Sequence, residues 1–121
     1  MAGATVALLA ATAGSAMAYP LSHFGPYTGT SGKTEGNITW YNRAVGVQGY
    51  VTDFVGGPTT SVIFFFFQGD SNLGSTSRYA DSKERSINFT QDGPSGGITK
   101  VEVWLCNNSE TCVQRGTILR P

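Results

Sequence analysis

The sequence predicts an all-β protein: an antiparallel β-sandwich of about six to seven strands with an extended N-terminal arm. Turn-forming residues recur about every 8–12 residues from Asn37 onward, and no stretch of the chain keeps a helical period. The 16 glycines and 5 prolines supply turns between short strands. Short strands at this spacing are typical of a sandwich or a small barrel.

Seven segments are predicted to be strands, because their residues alternate between apolar and polar or are continuously apolar. They start near Ile38, Val45, Ser61, Ser75, Ser86, Ile98 and Cys112. Between them lie turns such as residues 55–58 (VGGP), where glycine permits a positive φ and proline cannot donate to a ladder. In the strand that begins at Ile98, the residues Val101, Val103 and Leu105 are predicted to face inwards.

The sandwich domain is predicted to cover residues 37–121, and an extended arm is predicted over residues 19–36. Prolines interrupt ladder pairing in the arm, and its later part has the Gly-, Ser- and Thr-rich composition of a linker. Its large apolar side chains are candidate partner-binding residues, namely Tyr19, Leu21, Phe24 and Tyr27. Such a segment suits insertion into a groove or addition to a sheet edge of a partner. Packing of the arm on its own domain would account for the same side chains equally well.

The first eighteen residues, MAGATVALLAATAGSAMA, have the composition of a signal peptide. They carry no charge, are rich in Ala, Val and Leu, and end in the small-x-small pattern Ala16-Met17-Ala18. We therefore expect cleavage after Ala18 and a secreted, extracellular protein. The segment is too short for a membrane anchor, which needs about 20 strongly apolar residues. It lacks a basic start, which suggests a natural start upstream of Met1; a buried N-terminal helix is the alternative interpretation.

The chain has two cysteines, Cys106 and Cys112, at the two ends of the segment CNNSETC. In an exported protein the default state of such a pair is a disulfide, which here would close the last hairpin at its base. A metal site is the alternative, but it would need further soft or imidazole ligands, and His23 is the only histidine. We expect no cofactor and no metal.

The balance of charge argues against two classes of partner. Eight basic and eight acidic residues give a formal net charge of zero, whereas nucleic-acid binding normally needs a basic excess. No second apolar segment reaches membrane-spanning length. Neither nucleic acid nor a membrane is therefore an expected partner.

No motif in the chain predicts catalysis. The acidic residues lie in or beside turns, where capping and solvation account for them, and no spacing pairs two of them across a cleft. A phosphate-binding loop and a dinucleotide fingerprint are absent. A nucleophilic triad would need a histidine or another base, and His23 lies in the predicted arm. Residues 68–74 are predicted to form a polar hairpin loop; its oxygen atoms would suit calcium, but Asx-turn chemistry explains them more simply. We do not expect an enzyme.

Residues 64–67 are four consecutive phenylalanines in a predicted strand. Because successive strand residues point to opposite faces, Phe64 and Phe66 share one face while Phe65 and Phe67 share the other. One face fills the core, and the other meets solvent unless a loop, the arm or a partner covers it. The outward face is a candidate docking patch, and Phe64 and Phe66 are the residues assigned to partner binding.

Several segments between Gly36 and Cys106 resemble small exported proteins of actinobacteria. They are Ile38-Thr39-Trp40-Tyr41-Asn42-Arg43, Val45-Gly46-Val47-Gln48-Gly49, Ser86-Ile87-Asn88-Phe89-Thr90, and Gly96-Gly97-Ile98 followed by Val101-Glu102-Val103 and Cys106. In these segments the chain is similar to the small adaptor subunit of umbrella toxin particles. That resemblance implies a non-enzymatic link between a lectin-bearing subunit and a large repeat-containing toxin subunit. It also implies that the N-terminal arm, here Tyr19 to Tyr27, enters a cleft of the lectin-bearing subunit.

Two functions follow as expectations. The first is a secreted non-enzymatic adaptor that links subunits of an antibacterial protein toxin complex, with other secreted proteins as its partners. The alternative is a free-standing secreted binding module, such as an enzyme inhibitor or a small antimicrobial protein. For that alternative, the segment closed by Cys106 and Cys112 is the candidate contact loop. An adaptor needs two separate interaction surfaces, which the arm and the phenylalanine strand would provide.

Overall fold

The computed structural model describes residues 18–54, 56, 58–108 and 111–121. The predicted signal peptide therefore lies outside the described residues, except for Ala18. The described strands are β1 (Leu21–Thr28), β2 (Gly32–Trp40), β3 (Val45–Asp53), β4 (Thr60–Gln68), β5 (Ser71–Ala80), β6 (Glu84–Gln91), β7 (Lys100–Asn107) and β8 (Thr111–Leu119). They form two antiparallel sheets with the strand orders β1-β2-β3-β6 and β5-β4-β7-β8. The predicted antiparallel β-sandwich is confirmed, with eight described strands rather than six or seven.

The core lies between the two sheets and consists of the side chains that alternate inwards. Its strand residues are at most 4% exposed and include Phe24, Ile38, Trp40, Val45, Val47, Val51 and Ile87 from the first sheet, and Val62, Phe64, Phe66, Val101, Val103 and Leu105 from the second. The predicted inward face of β7 is thus confirmed. The ring of Phe89 in β6 makes edge contacts with Phe64 and Phe66, at centroid distances of 5.7 and 6.2 Å. These aromatic contacts connect the two sheets.

The segment predicted to be an arm supplies β1 and the first part of β2 instead. Strand β1 pairs antiparallel with β2, from Leu21 opposite Thr39 to Thr28 opposite Lys33. The side chain of Phe24 is 1% exposed and belongs to the core. The sandwich therefore begins at Leu21 and not at residue 37. Of the two alternatives for the arm, the structure shows packing on its own domain.

Two features allow a strand to form here despite the prolines. Pro26 follows a cis peptide bond at a bulge, where the register shifts between Phe24 and Tyr27. The missing N–H of proline therefore interrupts the ladder only locally. Gly36 leaves room for the phenyl ring of Phe24, because a Cβ atom on Gly36 would lie 2.7 Å from Cζ of that ring. Glycine at this position serves close packing and not linker flexibility.

The turn between β4 and β5 is shorter than the loop predicted over residues 68–74. It consists of Gly69 and Asp70, and Gly69 has a φ of +60°, which glycine adopts without steric cost. The side-chain oxygen of Asn72 accepts a hydrogen bond from the N–H of Gly74 (2.8 Å) at a bulge. The Asx-type hydrogen bonding expected for these polar residues is present. The pairing of β4 with β5 continues to Ser71, which lies opposite Gln68.

A buried polar cluster holds the end of β3, where the chain crosses to the second sheet. Asp53 is 2% exposed, and its carboxylate accepts hydrogen bonds from the Thr60 hydroxyl (2.7 Å) and from the N–H of Ser82 (2.6 Å). The hydroxyls of Ser31 and Thr60 are 2.7 Å apart. Since a buried carboxylate is stable only when such donors satisfy it, Asp53 has a structural role.

The free edge of β5 is occupied by arginine side chains. Arg78 donates to the carbonyl oxygen of Ser77 (2.8 Å), and Arg85 donates to that of Tyr79 (3.3 Å). The guanidinium of Arg85 also lies over the ring of Tyr79, 5.4 Å from its centroid. Charged side chains on an edge strand hinder pairing with a strand of another chain.

Candidate functional site

The predicted partner-binding residues do not form one surface in the structure. Tyr19 and Leu21 are 42% and 61% exposed at the edge of the first sheet. Tyr27 is half-buried and packs against the core. The remaining three are at most 1% exposed and are Phe24, Phe64 and Phe66. The assignment of these three to partner binding is therefore corrected: they are core residues.

Pairing with β7 decides which face of the phenylalanine strand is buried. The register places Phe64 opposite Val103, and Phe65 opposite Glu102. Charged side chains such as that of Glu102 are rarely buried, so this side of β7, and Phe65 with it, faces outwards. The period of two correctly predicts which phenylalanines share a face. The sequence signal that could have chosen the outer face is the charge pattern of the neighbouring strand.

The outer face of the second sheet carries large apolar side chains on its two central strands. We call this surface the aromatic face; it comprises Ile63, Phe65 and Phe67 of β4 and Trp104 of β7. Each is half-buried by neighbours within the sheet, and the rings of Phe65 and Trp104 meet at a centroid distance of 5.9 Å and an angle of 69°. Lys100 places its ammonium 4.2 Å from the ring centroid of Phe67. Strand β1 does not cover this face, because it belongs to the first sheet.

Polar residues surround the aromatic face on the two edge strands. The neighbours supplied by β5 and β8 are Ser75, Ser77, Gln114 and Thr117. At opposite ends of the face, Tyr79 and Leu119 are 56% and 64% exposed. An apolar centre rich in aromatic residues, with a polar rim, is typical of protein–protein interfaces.

The charged and polar groups within the aromatic face already have partners. The indole N–H of Trp104 donates to Glu102 (3.2 Å), and the ammonium of Lys100 lies 3.9 Å from the same carboxylate. A protein that covers this face would therefore desolvate a paired charge, which costs less than desolvating a lone one.

The predicted disulfide between Cys106 and Cys112 is confirmed. The two cysteines are cross-strand partners in β7 and β8, one position inside the ends of the strands that the hairpin joins. Their alternation places them on the same side of the sheet as Trp104. A cross-link over a sequence separation of 6 is expected to stabilise the fold by about 2 kcal/mol. It is compatible with an extracellular protein.

The only histidine belongs to a polar network on the outer face of the first sheet. The two ring nitrogens of His23 lie 3.0 Å from the carboxylate of Glu35 and 3.0 Å from the side-chain oxygen of Asn37. Tyr50 donates its hydroxyl to the same carboxylate at 2.7 Å. This network ties β1, β2 and β3 together, so His23 sits in a strand and not in a free arm.

The hydrogen bond between Tyr50 and Glu35 shifts the pKa of both groups. It is the main cause that lowers the pKa of the Glu35 carboxyl below its usual value, and His23 lowers it further. The same bond raises the pKa of the Tyr50 hydroxyl. These directions are those expected when a hydrogen bond favours the ionised carboxylate and the neutral phenol.

The described part of the chain has two further properties that bear on function. It contains no group of three or more His, Cys, Asp or Glu side chains arranged to hold a metal ion. None of its elements is a helix of sufficient length and apolarity to cross a membrane. In comparisons with known proteins, no family, no curated sequence and no solved structure matches this chain.

Proposed function

We propose that this protein is a secreted, non-enzymatic adaptor that binds other secreted proteins, and that the aromatic face is one of its docking surfaces. The observation that carries the proposal is the outward-facing, half-buried apolar centre of Ile63, Phe65, Phe67 and Trp104 with its polar rim. A free-standing sheet normally turns polar residues to solvent on its outer face. Aromatic residues in their place support a face that becomes covered by a partner.

The resemblance to umbrella toxin adaptors extends this proposal to an antibacterial toxin complex. In that setting the partners are a lectin-bearing subunit and a large repeat-containing toxin subunit. The exposed side chains of Tyr19 and Leu21 remain available for a second contact at the edge of the first sheet. Leu21 belongs to the first sheet and Tyr19 lies just before β1, whereas the aromatic face belongs to the second sheet. Two separate surfaces are what an adaptor between two subunits needs.

Affinity capture of the tagged protein from its own culture supernatant, followed by mass spectrometry, tests the proposal. We expect co-purification with much larger secreted proteins and co-elution with them on a sizing column. Phe65→Ser and Trp104→Ala should each weaken this association while the domain stays folded. Gln48→Ser, on the outer face of the first sheet, is the matched control and should leave it unchanged.

Two results would contradict the adaptor proposal. One is elution of the secreted protein as a single chain, which would favour a free-standing binding module such as an inhibitor or a small antimicrobial protein. The other is full retention of the large partners by both Phe65→Ser and Trp104→Ala. That second result would show that the aromatic face is not a docking surface, so an adaptor function would need another surface.

A further inference from the structure

A recess lies at one end of the sandwich, away from the aromatic face. The β2–β3 turn, the residues before β1 and the residues after β6 meet there. We call it the tyrosine notch; its walls include Tyr19, Tyr41, Asn42, Arg43 and Asp92, and its volume is ≈ 270 Å³. It is open to solvent on one side, and the residues that line it are aromatic, amide, basic and acidic. No residue of the notch belongs to the second sheet.

The two tyrosine rings form a rigid corner of the notch. Their centroids are 5.0 Å apart, and their planes meet at 76°. Tyr41 lies against the first sheet above Gly46, since a Cβ atom on that glycine would approach the ring to 3.1 Å. Tyr19 stands beside it and is 42% exposed. The corner therefore offers apolar ring surface from two directions.

Hydrogen bonds fix the backbone of the β2–β3 turn, which carries the side chains of Asn42 and Arg43. The N–H of Tyr41 donates to the carbonyl oxygen of Ala44 (3.0 Å), which closes the turn. Arg120 donates to the carbonyl oxygen of Tyr41 (2.8 Å), and the N–H of Ile98 donates to that of Arg43 (3.1 Å). Because its backbone is held at three points, the turn fixes the positions from which the side chains of Asn42 and Arg43 extend.

We propose that the tyrosine notch binds one neutral pyranose sugar ring. The electron-rich faces of Tyr19 and Tyr41 suit the positively polarised C–H groups on the apolar side of a sugar ring. Planar side chains such as Asn42, Arg43 and Asp92 can form paired hydrogen bonds with neighbouring hydroxyls. Arg43 and Asp92 carry opposite charges, which favours an uncharged ligand. A free sugar and the terminal unit of a cell-surface glycan both present such a neutral pyranose ring.

Titration of the ¹⁵N-labelled protein with single sugars, followed by two-dimensional NMR, tests this site. The probes are glucose, galactose, mannose and N-acetylglucosamine, each as the free sugar and as its methyl glycoside. We expect at least one probe to give saturable shifts at Asn42, Arg43 and Asp92, with a Kd of about 1 mM, as is ordinary for a ligand of this size. Equal binding of the methyl glycoside would show that the notch accepts the terminal sugar of a glycan, and binding of the free sugar alone would exclude a glycan terminus.

Two variants separate notch binding from non-specific effects. Tyr19→Ala removes an exposed ring and should weaken binding about tenfold or more without unfolding the protein. Tyr79→Ala removes an exposed tyrosine from the other sheet and should leave the Kd unchanged. The proposal is overturned if no probe gives saturable shifts, if the shifts map to another surface, or if both variants weaken binding equally. Loss of binding at the aromatic face would not affect this result, because the aromatic face and the tyrosine notch have no residue in common.

Discussion

The phenyl ring of Phe24 in β1 meets that of Phe64 in β4 across the core, with centroids 5.5 Å apart and planes at 76°. This contact joins the first strand of the chain to the opposite sheet. Phe24→Ala should therefore lower the free energy of unfolding by about 3–5 kcal/mol, the usual cost of removing a buried phenylalanine. Urea unfolding measures this loss. Leu21→Ala, at an exposed position of the same strand, should change stability by less than about 0.5 kcal/mol; an equally small effect of Phe24→Ala would mean that β1 does not pack on the core.

Gly49 is expected to tolerate no side chain. A Cβ atom there would lie 2.2 Å from the carbonyl oxygen of Glu35 and 2.6 Å from Cα of Gly36, and both are backbone atoms that cannot move independently. Gly49→Ala should destabilise the fold by about 2 kcal/mol or more, through displacement of β2 from β3. Gly46→Ala is the matched control in the same strand, because its Cβ would meet the outer edge of the Tyr41 ring at 3.1 Å. Thermal unfolding of the two variants should rank Gly49→Ala clearly below Gly46→Ala, and the reverse order would contradict the packing described.

Reduction of the disulfide should destabilise the last hairpin without abolishing the sandwich. A loss of about 2 kcal/mol corresponds to a decrease in Tm of roughly 10 °C for a domain of this size. The measurement is a thermal melt with and without reductant, in which the double variant Cys106→Ser, Cys112→Ser serves as the control that no longer responds. An unchanged Tm on reduction would show that the cross-link contributes nothing to equilibrium stability.

Stability should depend on pH through Glu35. The folded state lowers the pKa of this carboxyl, so its contribution is present above the ordinary glutamate pKa of about 4.3 and is lost as the pH falls through the lower, folded-state value. Glu35→Gln should therefore reduce Tm at pH 7 and have much less effect at pH 3. Tyr50→Phe, which removes the main cause of the shift, should give most of the same pattern. A Glu35→Gln effect of equal size at both pH values would rule out this linkage.

The sequence predicted the parts of the fold that depend on local alternation. The inward set of β7, the all-β class and the cross-strand disulfide all follow from spacing of two or from residue type. Strand β1 could not be predicted in this way, because proline and glycine occur both in linkers and in irregular strands. Its place in the sheet depends on the contacts of Phe24 with Gly36 of β2 and with Phe64 of β4, which join parts of the chain that no local pattern connects.

The candidate sites could be predicted only in part, for a similar physical reason. Four consecutive phenylalanines predict a strand with an apolar outer face. Which of them face outwards depends on the strand that becomes its neighbour. Trp104 acquires its place beside Phe65 through the pairing of β4 with β7. The tyrosine notch likewise combines residues from three separate places in the chain. Asp92 carries no sequence signal of its own, since a single acidic residue after a strand is ordinary turn composition.

The arginines on the edge of β5 have a consequence for how this protein can assemble. With the carbonyl oxygens of Ser77 and Tyr79 already accepting from Arg78 and Arg85, that edge is a poor template for another strand. Extension of the second sheet by a strand of another copy at this edge is thereby discouraged. A partner that packs on the broad aromatic face adds no strand to the sheet, so its binding creates no new strand edge for a further copy to extend.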